Sequence, residues 1–232
     1  MNITPKQVLT LAAKYIGYKE KASDKDLYSF EDNAGRGNFT MFQAELDKAK
    51  FWNTPKNGYE WCTSFVAWCF WRIAGSEAKD VLCLTGSYGA SCVSWAKYYA
   101  AQARLFTKPK VGDQYFQRGS DGKPCHTGIV ESVSGHTFVT IVGNYGNAVQ
   151  RVTRYLGSTV YGFGRPKYTA ESEDEEMVRW KTIEDVPEGF YRDTVRQLMQ
   201  DGIIKGKGNG VIDLTEDMLR VMIFCQRIMG KA

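Results

Sequence analysis

At 232 residues the chain has room for one full domain and a small second one. Its 43% hydrophobic and 24% charged residues are ordinary for a globular protein, and no apolar run approaches the roughly 20 residues of a membrane helix. Net charge is only +4 but uneven: residues 1–170 carry 21 Lys/Arg against 13 Asp/Glu, and the remainder is acidic. A basic body of this kind is drawn to anionic polymers, but its basic residues are scattered and no binding motif accompanies them, which argues against nucleic acid.

The N-terminal segment lacks a basic stretch followed by a continuous apolar one, so no secretory signal is expected. It reads as an amphipathic helix with Thr4 as N-cap, Pro5 at the first helical position, and Val8, Leu11, Ala12 and Tyr15 on one face. Residues 22–40, rich in Asp, Asn and Gly, predict a loop, and a helix follows around 41–50. Residues 61–74 are apolar and free of Gly and Pro, which predicts a helix with Cys62 at its start; another, about 91–103, follows the turn GSYGAS. Beyond Pro109 the pattern changes to Val, Ile, Thr and Tyr between turn residues. It predicts strands over 114–118, 126–132, 138–144, 149–155 and 160–164. Helices first and an antiparallel sheet after is an α+β pattern.

The run AESEDEEMV at 170–178 reads as a solvated acidic linker. The division expected is therefore 1–168, a linker at 169–178, and a small helical unit at 179–232. In that unit Tyr191–Gln200 predicts a helix with Val195, Leu198 and Met199 inward, stopped at Gly202. KGKGNG is a glycine turn, and Leu214-Thr215-Glu216-Asp217 caps a second helix running to Met229. So small a unit has little core of its own, so homo-oligomerisation through it is expected alongside any binding role. An internal start at Met177 would release it as a free domain.

The six cysteines form no CxxC pair and have no histidine at zinc-ligand spacing, so neither a metal nor another cofactor is expected, and reduced thiols are the default. A cysteine at a helix start feels the positive end of the helix dipole, which favours the thiolate a nucleophile requires. Cys62 meets that condition, whereas Cys69, further along the same helix, reads as a small core residue. A thiolate wants a histidine partner, and the chain has two. His136 lies in a tight turn, while His126 opens an apolar strand and is the better base. The base's other ring nitrogen needs an orienting group, which Asn144 at the end of the next strand supplies, with Asn147 as the nearby alternative. Trp68 and Trp71 read as core; Trp52, Tyr59 and Trp61, ahead of the helix, are candidates to line a substrate groove.

WCTSFV, VGDQYF, HTGIV, VGNYGN and YGFGRPKY, in that order over roughly residues 5–168, resemble the CHAP family, the cysteine- and histidine-dependent amidohydrolase/peptidases. The resemblance implies a papain-like α+β fold and hydrolysis of amide bonds in bacterial peptidoglycan, with Cys62 as nucleophile, His126 as base and Asn144 as orienter. The chain departs from the family pattern at Val142, where many members carry Glu, and at Trp61, where many carry Gln. NTPKNGYEWCTS has no aspartate, so the calcium site of some members is not expected. In the mechanism implied, His126 takes the Cys62 proton, the thiolate attacks the amide carbonyl, and the Cys62 backbone N–H donates to the oxyanion; Tyr59 and Asn57 are the side-chain donors nearest in sequence. The second unit, with its DVP, DGIIKGKG, Thr215 and Arg220, resembles one S-layer homology repeat, which implies attachment to wall polysaccharide. A phage endolysin, held in the host bacterial cytoplasm until lysis releases it to the wall, is the reading these features imply. A bacterial autolysin, a delivered effector, or a wall-binding protein on an inactive scaffold are the alternatives.

Overall fold

The computed structural model describes residues 3–85, 89–169, 179–206, 208, 210–215, 218–219 and 221–223. The chain divides into two compact units, Met1–Ala170 and Glu171–Ala232. The acidic run at 170–178, with Met177, lies outside the described residues, as do Arg220, Cys225 and most of the expected last helix.

The first unit begins with helix α1 (Pro5–Ala13), where the Thr4 hydroxyl accepts from the Gln7 N–H while the Gln7 side chain accepts from the Thr4 N–H. This reciprocal cap satisfies two backbone donors that would otherwise be orphaned. Val8 and Ala12 are buried, and Leu11 and Tyr15 pack against the same core. Helices α2 (Met41–Lys48), α3 (Cys62–Ala74), α4 (Ala78–Val81) and α5 (Cys92–Ala101) follow. The short α4 was not expected from its sequence.

The sheet is antiparallel. Its strands are β1 (Leu105–Phe106), β2 (Gln114–Arg118), β3 (Pro124–Ser134), β4 (Thr137–Tyr145), β5 (Ala148–Tyr155) and β6 (Val160–Gly164). They lie in the order β1-β6-β2-β3-β4-β5. Alternate side chains go to opposite faces, as strand geometry dictates. Phe116, Ile129 and Ile141 join the helical core, while Tyr115, Val130 and Phe138 join Phe163 in a separate cluster. The α+β class therefore holds.

Two stretches singled out in the sequence turn out to be joined. Two guanidinium nitrogens of Arg165, Nε and Nη2, in YGFGRPKY, donate to the Asp113 carboxylate of VGDQYF at 2.9 Å, and the Tyr168 hydroxyl donates to the Gly112 carbonyl. Asp113 is 1% exposed. Burial pushes its carboxyl up, opposed chiefly by the hydrogen bonds from Arg165. A bidentate pair of this kind fixes the orientation of the strands that carry it.

In the second unit Arg179–Trp180 (β7) pairs antiparallel with Leu214–Thr215 (β8). Leu214 and Thr215 therefore form a strand rather than part of a helix cap. Helix α6 (Phe190–Gln200) buries Val195 and Leu198 against Trp180, Val186, Ile204, Ile212, Leu214 and Leu219. Met199 is 38% exposed and does not face inward as the spacing suggested, because Val195 and Leu198 alone set the buried stripe. Helical backbone resumes at 218–219 and 221–223.

Candidate active site

Cys62 is the first residue of α3, and the helix packs on β3 and β4. One glycine makes that packing close, and a second lets β3 and β4 lie together. A Cβ at Gly143 would sit 2.5 Å from Phe65 Cβ and 2.8 Å from Trp61 Cζ3, so only glycine at β4 lets the start of α3 lie against the strand. A Cβ at Gly128 would overlap Val142 Cγ1, which leaves Val142, at the position where the family resemblance expected Glu, fully buried in the sheet.

Trp61 precedes the helix with φ −123° and ψ 13° and makes no side-chain cap bond, and no acidic residue occupies the first turn. The first N–H groups of α3 are thus not consumed by a capping side chain, and the positive end of the helix falls on the Cys62 thiol. Cys62 is 6% exposed. Its thiol is held well below the usual range, first by hydrogen bonding with Cys92, then by hydrogen bonding and charge attraction from His126 and by the Thr63 N–H; burial alone would raise it. The Cys92 Sγ stands 3.9 Å from the Cys62 Sγ, and its own thiol is pushed up, chiefly by that hydrogen bond and by burial. The direction is physically consistent: whichever thiol sits at the helix start beside a histidine ionises, and the other stays protonated and donates.

His126 lies on β3, with Gln117 as its cross-strand partner on β2. The Tyr145 ring at the end of β4 is centred 5.9 Å from the imidazole. Arg154 reaches the same neighbourhood, donating to Gln117 at 3.2 Å with its guanidinium 5.6 Å from the Tyr145 ring centroid. His126 Nε2 is buried with no hydrogen-bond partner among the described residues. Cys125, the preceding residue, is exposed.

The structure thus brings Cys62 and His126 together, but it does not connect Asn144 to His126. The Asn144 amide donates at 3.5 Å to the Glu60 carboxylate, from a left-handed backbone with φ 57°. Asn147 is also left-handed, at φ 64°, and its carbonyl accepts from the Glu20 N–H.

Two groove candidates are corrected. Trp61 is fully buried, its indole N–H donating at 2.8 Å to Glu20 and its ring stacked on Phe42 at 5.7 Å. Trp52 is 5% exposed and packs edge-on against Phe51, with Trp95 beyond. Both are large aromatic rings whose burial outweighs any role at a surface. Asn57 is tied into its loop, its side-chain oxygen accepting from the Thr40 N–H and its own N–H donating to Asp47. Tyr59 alone of the four is open, at 66% exposed, with Lys56 Nζ 6.0 Å from its ring centroid. Trp68 is buried core as expected. Sequence reasoning missed Cys92, although it carries the same signal as Cys62: it is the first residue of a helix, here capped by the Ser91 hydroxyl on the Ser94 N–H.

Residues 54–144 match the CHAP domain. That stretch holds Cys62, Cys92 and His126 and ends at Asn144. Two solved structures, described as the crystal structure of Ly7917 and as Ly7917 with the hydrolyzing product of MDP, are each 16% identical with a TM-score of 0.41. The alignments cover 71% and 70% of this chain and 63% of each of theirs, so the chain spans less than two thirds of their length. No curated protein matches.

Proposed function

We propose that the first unit hydrolyses amide bonds of bacterial peptidoglycan with Cys62 as nucleophile and His126 as base. One observation carries this reading: Cys62 stands at the uncapped start of a helix in contact with Cys92, where Cys92, His126 and the Thr63 N–H favour its ionised form against the effect of burial. The CHAP domain match over the same residues supports the choice of substrate class.

In this reading the Cys62 proton rests on His126, and the thiolate attacks the amide carbonyl carbon. Charge collects on the carbonyl oxygen, where the Cys62 backbone N–H, at the uncapped start of α3, donates to it. His126 then gives its proton to the leaving amine, a thioester remains on Cys62, and water, deprotonated by His126, releases the acyl group. Tyr59, whose ring is exposed, would be the aromatic that meets glycan or stem peptide. Asn144 as orienter of His126 remains part of the proposal, and it requires the amide to leave Glu60.

The finer reading is an endolysin released to the wall at lysis. The basic residues of 1–170 would draw the catalytic unit to anionic wall polymer, and the second unit would attach to wall polysaccharide or self-associate. An autolysin or a delivered effector would use the same chemistry.

The test is Cys62→Ala against purified peptidoglycan. The variant should keep the melting transition and lose all clearing of the suspension. Clearing by that variant at the wild-type rate would sink the reading. Mass spectrometry of the fragments made by the wild type separates an N-acetylmuramoyl-L-alanine amidase from a stem or cross-bridge endopeptidase.

A further inference from the structure

The mechanism above uses Cys62 and leaves a second thiol in contact with it. Cys62 and Cys92 are each the first residue of a helix, α3 and α5, so both sulfurs are presented at converging helix ends. Their separation of 3.9 Å is that of two thiols in contact and exceeds a disulfide bond of about 2.05 Å by less than the swing of two Cβ–Sγ bonds. Among the described cysteines no other sulfur–sulfur contact is made: Cys69 and Cys83 are buried, and exposed Cys125, the residue before His126, feels the charge of Cys62.

We propose that Cys92 is a resolving thiol, and that a peroxide-class oxidant converts Cys62 and Cys92 into a disulfide that reversibly locks the nucleophile. The inference rests on the reading of Cys62 as the reactive thiolate. In the first step the Cys62 thiolate attacks one peroxide oxygen; the S–O bond forms, the O–O bond breaks, and the departing hydroxide takes a proton from His126 to become water. Cys62 is then a sulfenic acid. In the second step the Cys92 sulfur, 3.9 Å away, attacks the Cys62 sulfur; the S–S bond forms and the S–O bond breaks. The departing hydroxide leaves as water with the Cys92 proton. Two thiols lose two electrons in total, and one hydrogen peroxide becomes two waters.

The partner matters because a sulfenic acid with no thiol beside it goes on to sulfinic and sulfonic acids, which a dithiol reductant does not reverse. Cys92 within contact distance diverts the sulfenic acid before that, so oxidation would suspend activity rather than destroy it.

The experiment treats the full chain, reduced and desalted, with hydrogen peroxide, followed by intact mass, peptide mapping without reduction, and clearing of peptidoglycan before and after dithiothreitol. The wild type should lose about 2 Da, consistent with two hydrogens removed, yield a Cys62–Cys92 linked peptide, and recover its own starting activity on reduction. Cys92→Ser, compared with its own untreated rate, should carry sulfinic or sulfonic acid on Cys62 and stay inactive after reduction. A Cys62–Cys125 link, or over-oxidised Cys62 in the wild type to the same extent as in Cys92→Ser, would overturn the proposal. The linked peptide is scored without substrate. Its formation in a chain that never clears peptidoglycan would therefore count against the hydrolase alone, and clearing without the link would count against the pairing alone.

Discussion

Replacing Trp61 with Phe separates two roles that the sequence left together. If the indole lined a substrate groove, the change would weaken binding and leave the fold alone. The structure places it in the core instead, donating from its ring nitrogen to Glu20, which is itself 2% exposed. Loss of a hydrogen bond to a charged, buried partner costs about 1.5–3 kcal/mol. The smaller ring leaves two or three carbons' worth of space against Phe42 and Tyr18, adding about 2 kcal/mol at ~0.8 kcal/mol per CH2 lost. The sum, about 3–5 kcal/mol, lowers the melting temperature of a unit of this size by roughly 10 °C at about 2–4 °C per kcal/mol. The assay is differential scanning fluorimetry, with initial rates of peptidoglycan clearing taken well below both transitions. Trp61→Phe should melt early and keep its KM, while Tyr59→Ala, at an exposed ring, should melt with the wild type. An unchanged Trp61→Phe melting temperature with a raised KM would refute the assignment of this ring to the core.

Three further outcomes are expected. Because the Cys62 thiol is held well below the ordinary thiol value, its thiolate forms at a lower pH than that of a free cysteine and is lost as the pH falls through that lowered value, whereas the Cys69, Cys83, Cys92 and Cys125 thiols are raised. Iodoacetamide labelling mapped by mass spectrometry should therefore level off at a lower pH at Cys62 than in a free thiol of pKa about 8.5; a pH profile at Cys62 that coincides with that of free cysteine would contradict it. Gly143→Ala should destabilise by about 1–3 kcal/mol in urea melts and slow Cys62 labelling, since its Cβ meets Phe65 and Trp61, while Gly157→Ala, whose Cβ meets nothing within 4 Å, should change neither. Asn144→Ala should lower kcat toward the ~10⁴ of a triad orienter, since the amide must turn from Glu60 to His126 during turnover; a loss of less than about tenfold would show that Asn144 stays on Glu60 and does not orient the base.

The strands were legible because their periodicity is local. Gln114–Arg118 and Val160–Gly164 are bounded by turn residues and fall where the pattern put them. The helix start at Cys62 was legible for the same reason, as an apolar run without a break. Exposure was harder to read, because a residue ahead of a helix is as free in sequence to turn inward as outward. Trp61 turns inward because Glu20, 41 residues earlier, waits there as an acceptor, and no window of sequence shows that partner. Leu214 and Thr215 likewise became a strand only because Arg179 and Trp180 pair with them across the unit.

The third member of the site shows where such reasoning stops. Strand spacing was enough to predict that the end of β4 comes beside His126, and Tyr145 does, with its ring 5.9 Å away. Which side chain turns toward the imidazole depends on the backbone at the strand end, and there Asn144 is left-handed, in a stretch where the pairing with β5 shifts register between Val142 and Tyr145. A bulge of this kind re-aims side chains that regular alternation would otherwise place. Asn144 accordingly meets Glu60, and His126 Nε2 stays buried without a hydrogen-bond partner among the described residues. The pairing that was not sought, Cys62 with Cys92, arises from convergence of two helix ends that nothing local to either sequence encodes. Cys92 and then His126 favour the ionised form of Cys62, and the contact with Cys92 would also expose the nucleophile to oxidation as a pair.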